Sequence, residues 1–355
     1  MKAVFNPGPS YFNPEVRKYA GWTRILDLMK EALESLRYEV CIPEVPAELV
    51  DTQTTVSKIT SWDLVAASQL PADVDLFLGP PGYSLAQILR LNGKAKVVTY
   101  VWNNADWWRD QQLAEEYQRT ETPYDLSPTW RWINRTALQL SDRVIACSPW
   151  VKMTHAKVVP EDRISIAFWG VDSQRFTPDW EWQKKSPLPL RVLFVGSDPV
   201  RKGLLYLIRA IRELDGVEGT IVGCNVEFNV DVGRVTAIGM VPNERMPEIM
   251  KEHHVICIPT LEDGIACSIQ EGMASGLVPI ATPEAAEVFE HEVSGFRVDY
   301  KDVDGIRERV VWLRDHLEKR AQMALAARTL AVSQTWGRFQ EEFANIIRKE
   351  VSGSG

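Results

Sequence analysis

Two carboxylates eight residues apart, Asp263 and Glu271, bracket a glycine-containing loop within Ile256–Thr282, ICIPTLEDGIACSIQEGMASGLVPIAT. Upstream, the loop Gly196-Ser-Asp-Pro-Val-Arg-Lys-Gly203 follows an apolar run and carries adjacent cations, Arg201 and Lys202. Glycines let a backbone approach a ligand closely, and cations at the positive start of a helix suit a phosphate or diphosphate. Ionised carboxylates only accept hydrogen bonds, which suits them to a hydroxyl-rich ligand. The cation loop has neither the GxGxxG nor the GxxxxGK[ST] spacing, so no dinucleotide or ATPase fingerprint is present. Each feature also has a plainer account. Arg201 and Lys202 fit a solvated helix start, Glu271 a capping box with Ser268, and Asp263 a turn beside Gly264.

The elements that must hold these residues read as α/β. Ile256–Pro259 and Val278–Ala281 are apolar runs of strand length. Between them the Ser268-x-x-Glu271 pattern predicts a helix beginning near Ser268, and Gly276 is placed to end it in a left-handed conformation. A helix start facing the carboxyl edge of a strand is the usual ligand position in an open α/β sheet. Strands are also predicted at Lys2–Phe5, Leu76–Leu78, Val97–Val101, Val144–Ala146, Arg191–Val195, Thr220–Val222, Val235–Ile238 and Phe296–Val298. Helices are expected at Pro14–Arg37, Leu204–Leu214, Glu244–Glu252 and Val303–Leu317. A final amphipathic helix, Gly337–Lys349, sets Phe339, Phe343, Ile346 and Ile347 in one stripe. Pro178, Pro187 and Pro189 among charged residues mark a linker at 175–188. The alternation predicts two doubly wound Rossmann-like domains, residues 1–175 and 188–334, with a cleft between their strand ends, followed by a helix at 335–350.

Composition narrows the function classes. With 355 residues, 45% of them hydrophobic, the chain can bury a large core. A net charge of -8 argues against nucleic acid as a partner. The five cysteines show no CxxC pairing and read as small buried hydrophobes of a reducing compartment. The N-terminus enters a strand without a signal-like apolar segment, and no run reaches the ~20 apolar residues that span a bilayer. A cytoplasmic protein is expected. Asp73-Val-Asp75 has the form of a metal-binding DxD, but it leads directly into Leu76-Phe-Leu-Gly79 and is read as the start of a buried strand.

Taken together, the motifs resemble the family 4 retaining glycosyltransferases of GT-B fold. Ser141–Ser148 (SDRVIACS) is similar to that family's strand near the end of its first domain. Arg163–Phe176 (RISIAFWGVDSQRF) resembles its segment ending in G-V-D-x-x-x-F. Phe194-Val-Gly196 with Arg201-Lys-Gly203 resembles the donor loop G-R-L-x-x-x-K-G. Gly239-x-Val241 with Glu244 resembles the next turn, and Asp263–Ser275 the E-x7-E motif. Thr335-Trp336 with Phe339 and Phe343 resembles the helix that returns to the first domain. The match runs from roughly Leu140 to Glu350; before it, only the α/β rhythm agrees.

The resemblance implies a retaining transfer of a hexosyl group from a nucleotide-diphosphate sugar to a glycan or glycolipid, without a metal. Glu271 would hold the ribose, Asp263 the donor sugar, and Lys202 with Arg201 the departing diphosphate. Backbone N–H groups of Gly264, Ile265, Ala266 and Cys267 would line the sugar and phosphate, with Gly196 and Ser197 beside them. Acceptor-side candidates follow the strands of the first domain: Gly8, Trp102, Asn103, Asn104 and Ser148. The chain departs from the family at four places. Ser197 stands where an arginine is usual, Asp263 where glutamate is usual, Ile265 and Ala266 where phenylalanine and glycine are usual, and Trp102-Asn-Asn104 where a histidine is common. Asn103 and Asn104 can donate hydrogen bonds but cannot act as acid or base. Two other functions fit the same fold, a nucleotide-sugar epimerase or hydrolase and a non-catalytic sugar-nucleotide or glycan binder. Trp102, Trp107, Trp108, Trp130 and Trp132, near Arg109, Arg119, Arg131 and Arg135, fit core packing, an acceptor-sugar platform, or peripheral contact with lipid headgroups at the inner membrane face.

Overall fold

The structure, a computed structural model, describes residues 1–19, 23–46, 56–121, 127–181, 189–225 and 231–352. Among these the strands are β1 (Lys2–Phe5), β2 (Glu39–Cys41), β3 (Leu76–Gly79), β4 (Lys96–Val101), β5 (Arg143–Ala146), β6 (Ile164–Ile166), β7 (Leu190–Val195), β8 (Val217–Val222), β9 (Val235–Ala237), β10 (Val255–Ile258), β11 (Val278–Ala281) and β12 (Phe296–Arg297). The helices are α1 (Pro14–Tyr19), α2 (Thr23–Ser35), α3 (Val56–Ser68), α4 (Leu85–Leu91), α5 (Asp106–Arg119), α6 (Pro128–Leu140), α7 (Pro149–His155), α8 (Leu204–Ile211), α9 (Met246–Lys251), α10 (Cys267–Ala274), α11 (Val303–Asp315), α12 (Leu317–Ser333) and α13 (Trp336–Ser352).

The strands form two six-stranded parallel sheets, β2-β1-β3-β4-β5-β6 and β12-β11-β10-β7-β8-β9. Parallel strands joined by crossover helices are covered on both faces, so their sequences are unbroken apolar runs. Val255–Ile258 and Val278–Ala281 are buried at every position for this reason. In each sheet the strand order reverses once, between β1 and β3 in the first and between β7 and β10 in the second. Loops at such a reversal splay apart and leave a crevice at the carboxyl ends of the strands.

The chain divides into two compact units. One comprises Met1–Trp108, Asp125–Trp169 and Gly337–Gly355; the other comprises Arg109–Tyr124 and Gly170–Trp336. The division at Trp169 lies ahead of the expected linker at 175–188, of which 182–188 fall outside the described residues. The greater part of α5 also clusters with the second unit. The terminal helix belongs to the first unit, as the returning helix of the GT-B arrangement does. Phe339, Phe343 and Ile347 are fully buried there, and Glu342 accepts the Phe168 N–H at 3.0 Å.

Several elements differ from expectation. The stretch expected as one helix from Pro14 to Arg37 is described as α1 and α2, with 20–22 outside the described residues and Arg37 left-handed at φ 65°. The expected helix at Glu244–Glu252 is a 3₁₀ turn, Asn243–Arg245, leading into α9. The helix expected to run to Leu317 stops at Asp315, and a separate helix, α12, follows. Strands β2 and β6 were not expected. Each has three residues and incomplete burial, too short for an apolar run to stand out.

Candidate functional site

In the second unit the cation loop after β7 and the acidic loop after β10 lie on either side of the strand-order reversal. The backbone ties them together. Leu261 N–H donates to the Arg201 carbonyl at 2.8 Å, and Thr260 Oγ1 reaches the same oxygen at 3.1 Å. Gly203 makes this closeness possible. It adopts φ 70°, and a Cβ there would overlap the Pro259 carbonyl oxygen. Glycine is the residue that takes this conformation without strain.

These ties bring Arg201, Lys202 and Asp263 together. Lys202, buried, donates to Asp263 Oδ2 in an ion pair, and Arg201 Nη1 stands 3.8 Å from Asp263 Oδ1. Burial alone would raise the Asp263 carboxyl, but Lys202 and Arg201 outweigh it and hold the group below its usual range. Gly196 leaves room for this arrangement, since a Cβ there would press on the Lys202 side chain at 2.9 Å. Ser197 is exposed at the loop's edge.

Sequence reasoning missed two carboxyls in this cluster. Glu262 is fully buried; its Oε2 lies 3.6 Å from Arg201 Nη1 and 3.6 Å from Arg109 Nε. Glu284, also fully buried, accepts the Asp263 N–H at 2.9 Å and the Tyr300 hydroxyl at 2.6 Å. Burial pushes Glu284 up to about 9, with Glu262 and Asp263 adding to the rise and the Tyr300 bond opposing it. At neutral pH it is a neutral acid that fixes the Asp263 backbone. Nothing local in Thr282-Pro-Glu284 distinguishes it from a turn carboxylate.

Helix α10 follows the acidic loop and departs from the predicted capping box. It starts at Cys267 with Ala266 as N-cap, and no side chain caps it. Ser268 therefore lies inside the first turn and Glu271 beyond it, too far along to reach back. First-turn N–H groups of a helix have no intrahelical acceptor. No side chain caps them here; the Ile269 N–H turns back to the Ala266 carbonyl at 2.8 Å, and those of Cys267 and Ser268 directly follow Gly264, Ile265 and Ala266. Gly276 does end the helix as expected: at φ 82° it lets Leu277 N–H return to the Gly272 carbonyl at 2.9 Å. The Glu271 carboxyl is half-buried and makes no hydrogen bond to a described residue. Burial raises it to about 7, with the charge of Arg175 pulling the other way.

The acceptor-side candidates lie along the carboxyl edge of the first sheet. Gly8 follows β1 in a left-handed turn closed by its N–H on Asn6 Oδ1 at 2.9 Å, and Asn6 Nδ2 reaches the Tyr83 carbonyl after β3 at 2.8 Å. Trp102 packs edge-on between Tyr100 and Trp169. Asn103 is exposed, whereas Asn104 is buried against Thr154. The Ser148 hydroxyl caps α7 through the Val151 N–H at 3.2 Å, which gives it a structural task. Of the tryptophans, Trp107 and Trp108 pack on Thr154 and Trp150, and Trp130 covers Gly82 and Tyr83. Trp132 stands out at 61% exposure. Arg109 and Arg119 are engaged with carboxylates in the second unit.

Asp73 pairs with Lys2 Nζ at 2.8 Å and Asp75 accepts the Lys2 N–H at 2.6 Å, so both carboxylates of that triplet hold β1. Among the described residues no group of three or more His, Cys, Asp or Glu is placed to hold a metal ion. No described helix is long and apolar enough to cross a membrane.

Comparison with known proteins places these features in a wider setting. Residues 189–316, which contain every candidate of the second unit, match a family model described as glycosyl transferases group 1. An uncharacterised glycosyltransferase of Methanocaldococcus jannaschii is 25% identical over 215 residues, covering 54% of this chain. The chain spans about half (50%) the length of that curated relative. Sucrose-phosphate synthase of Thermosynechococcus elongatus superposes over 100% of both chains with a TM-score of 0.81 at 15% identity. HepE of Anabaena, solved with UDP-glucose, gives 0.70 at 14% identity over 98% of this chain and 100% of its own. These likenesses fix the GT-B fold.

Proposed function

We propose that the protein is a glycosyltransferase that takes a sugar from a nucleotide-diphosphate donor. The observation that carries this reading is the meeting of two loops at the strand-order reversal of the second sheet. They set Lys202 and Arg201 beside Asp263, with the Glu271 carboxyl, which bonds no side chain or backbone group among the described residues, on the helix that follows. The group 1 match over the same residues and the UDP-glucose bound by HepE support it.

On this reading the donor diphosphate meets Lys202, Arg201 and the Cys267 and Ser268 N–H groups at the start of α10. Cations and dipoles already in place stabilise the charge that grows on the leaving group, and one such donor is worth roughly 3–4 kcal/mol in comparable oxyanion sites. Lys202 is neutralised by Asp263 before the donor arrives, so binding must loosen that ion pair. The released carboxylate is then free to accept donor-sugar hydroxyls. Glu271 accepts the ribose hydroxyls once it has lost its proton. Two cations and a helix start supply the positive charge, so the transfer needs no metal. The sugar is a hexose, the transfer retains configuration by a front-face route, and the acceptor is a glycan or glycolipid met by the loops around Gly8 and Trp102–Asn104. Among those residues Asn103 is the exposed one.

A thermal-shift screen of UDP-, GDP- and ADP-sugars, followed by product analysis with an acceptor panel, tests the reading. Stabilisation by one nucleotide class and acceptor-dependent transfer that survives a chelator are expected. Donor consumption without acceptor would favour an epimerase or hydrolase. Binding with no turnover would leave a binding protein.

A further inference from the structure

Helix α5 presents a face to the cation loop that no motif announces. From Arg109 onward its residues belong to the second unit, and Arg109, Leu113, Glu116 and Tyr117 fall at i, i+4, i+7 and i+8, one helical stripe. Leu113 is fully buried, and the buried Glu116 is ion-paired with Lys301 at 2.7 Å and with Arg119. Those contacts anchor the helix. The two ends of the stripe then meet the carboxylates that hold Arg201. Tyr117 donates its hydroxyl to Asp198 Oδ2. Asp198 in turn accepts the Arg201 N–H at 3.0 Å and stands 3.7 Å from Arg201 Nε. At the other end Arg109 Nε approaches Glu262 Oε2, the oxygen that Arg201 Nη1 also approaches, both at 3.6 Å.

We infer that Tyr117 is a positioning residue for Arg201, acting through Asp198, and that α5 is the strap that sets the cation loop. The inference rests on the donor-site reading of Arg201 and Lys202. A free arginine side chain holds about 2 kcal/mol of rotamer entropy. A guanidinium fixed on both sides by anchored carboxylates has already lost much of that freedom, so it gives more of its attraction to a diphosphate. Without the Tyr117 hydroxyl, Asp198 loses its side-chain anchor on α5 and keeps only the Arg201 N–H, so Arg201 loses one of the fixed carboxylates around it.

Tyr117→Phe removes one oxygen and keeps the ring, and a melting curve checks that it folds. The full chain is titrated calorimetrically with UDP, GDP and ADP, and the tightest is paired with its monophosphate. The ratio of the two dissociation constants reads the contact with the second phosphate. Tyr117→Phe should cut that ratio roughly tenfold while monophosphate affinity holds, the effect of losing one hydrogen bond to a charged group. Asp198→Ala should cut it at least as far, and the double variant no further. A wild-type ratio in Tyr117→Phe, equal losses for both nucleotides, or additive effects in the double variant overturns the inference and leaves the donor site standing. A wild-type protein that binds none of the three nucleotides removes the donor-site reading and this inference with it.

Discussion

Replacing Glu271 by glutamine separates two accounts of this residue, because they predict opposite signs. The carboxyl is half-buried, carries no hydrogen bond to a described residue, and is pushed up to about 7 from an ordinary 4.5. Its folded pKa lies above its unfolded one, so between those values the folded protein keeps a proton that the unfolded chain releases. Stability therefore falls as pH climbs from 4.5 to about 7, and the full cost persists above that. The gap corresponds to roughly 3 kcal/mol for a fully buried group. Partial exposure brings it to about 1–2 kcal/mol. Glu271→Gln should thus be more stable than the parent by about 1–2 kcal/mol at pH 8, with the difference shrinking towards pH 5. The same variant should bind nucleotide diphosphate more weakly, since an amide N–H₂ replaces one acceptor oxygen. Urea unfolding at pH 5, 6, 7 and 8, with calorimetry at pH 8, measures both. A capping-box carboxylate would instead favour the ionised form near the helix start. Glutamine would then be neutral or cost up to ~1 kcal/mol at pH 8. A less stable Glu271→Gln at pH 8, or a difference indifferent to pH, refutes the reasoning.

Lys202→Gln should lower sugar transfer about 10²–10³-fold, the effect of losing one preorganised charge donor. It also strips the buried Asp263 of the nearer of its two cations, so stability should drop; adding Asp263→Asn should restore the melting temperature but not the rate. Gly203→Ala should cost at least ~2 kcal/mol, because φ 70° and the Pro259 carbonyl both exclude a Cβ. Circular dichroism melts would detect that loss, and a melting temperature equal to the parent's would show that the loops are not locked at this point.

The sequence disclosed what depends on local pattern. The strand expected at Ile256–Pro259 forms one residue earlier, at Val255–Ile258; Val278–Ala281 forms as expected, both are buried throughout, and Gly276 ended its helix where predicted. Lys202, Arg201 and Asp263 come together because two loops follow neighbouring strands, a consequence of parallel topology. What stayed hidden depends on tertiary context. Ser268 and Glu271 satisfy a capping pattern, but the loop before them runs on to Ala266 and starts the helix early. Glu262 stands one residue from an expected position, and only its burial between two arginines gives it a role. The α5 stripe is largely polar, so its pattern resembles a solvated face. Its charged and polar groups are met by Lys301, Glu262 and Asp198, which lie far along the chain.

The route of the chain through its two units has a consequence for biogenesis. The first unit holds the N-terminal residues yet takes in Gly337–Gly355, with Phe339 and Phe343 fully buried and Arg143 paired with Glu350. The second unit takes in Arg109–Tyr124 from the middle of the first. A ribosome emitting this chain cannot finish one half before beginning the other. The first sheet must wait, short of one helix, until residues 337–355 emerge, while α5 waits for the sheet it will join. No single cut yields two complete pieces: division at residue 169 strands α5 on one fragment and the terminal helix on the other. Co-expressed halves should therefore need each other to stay in solution.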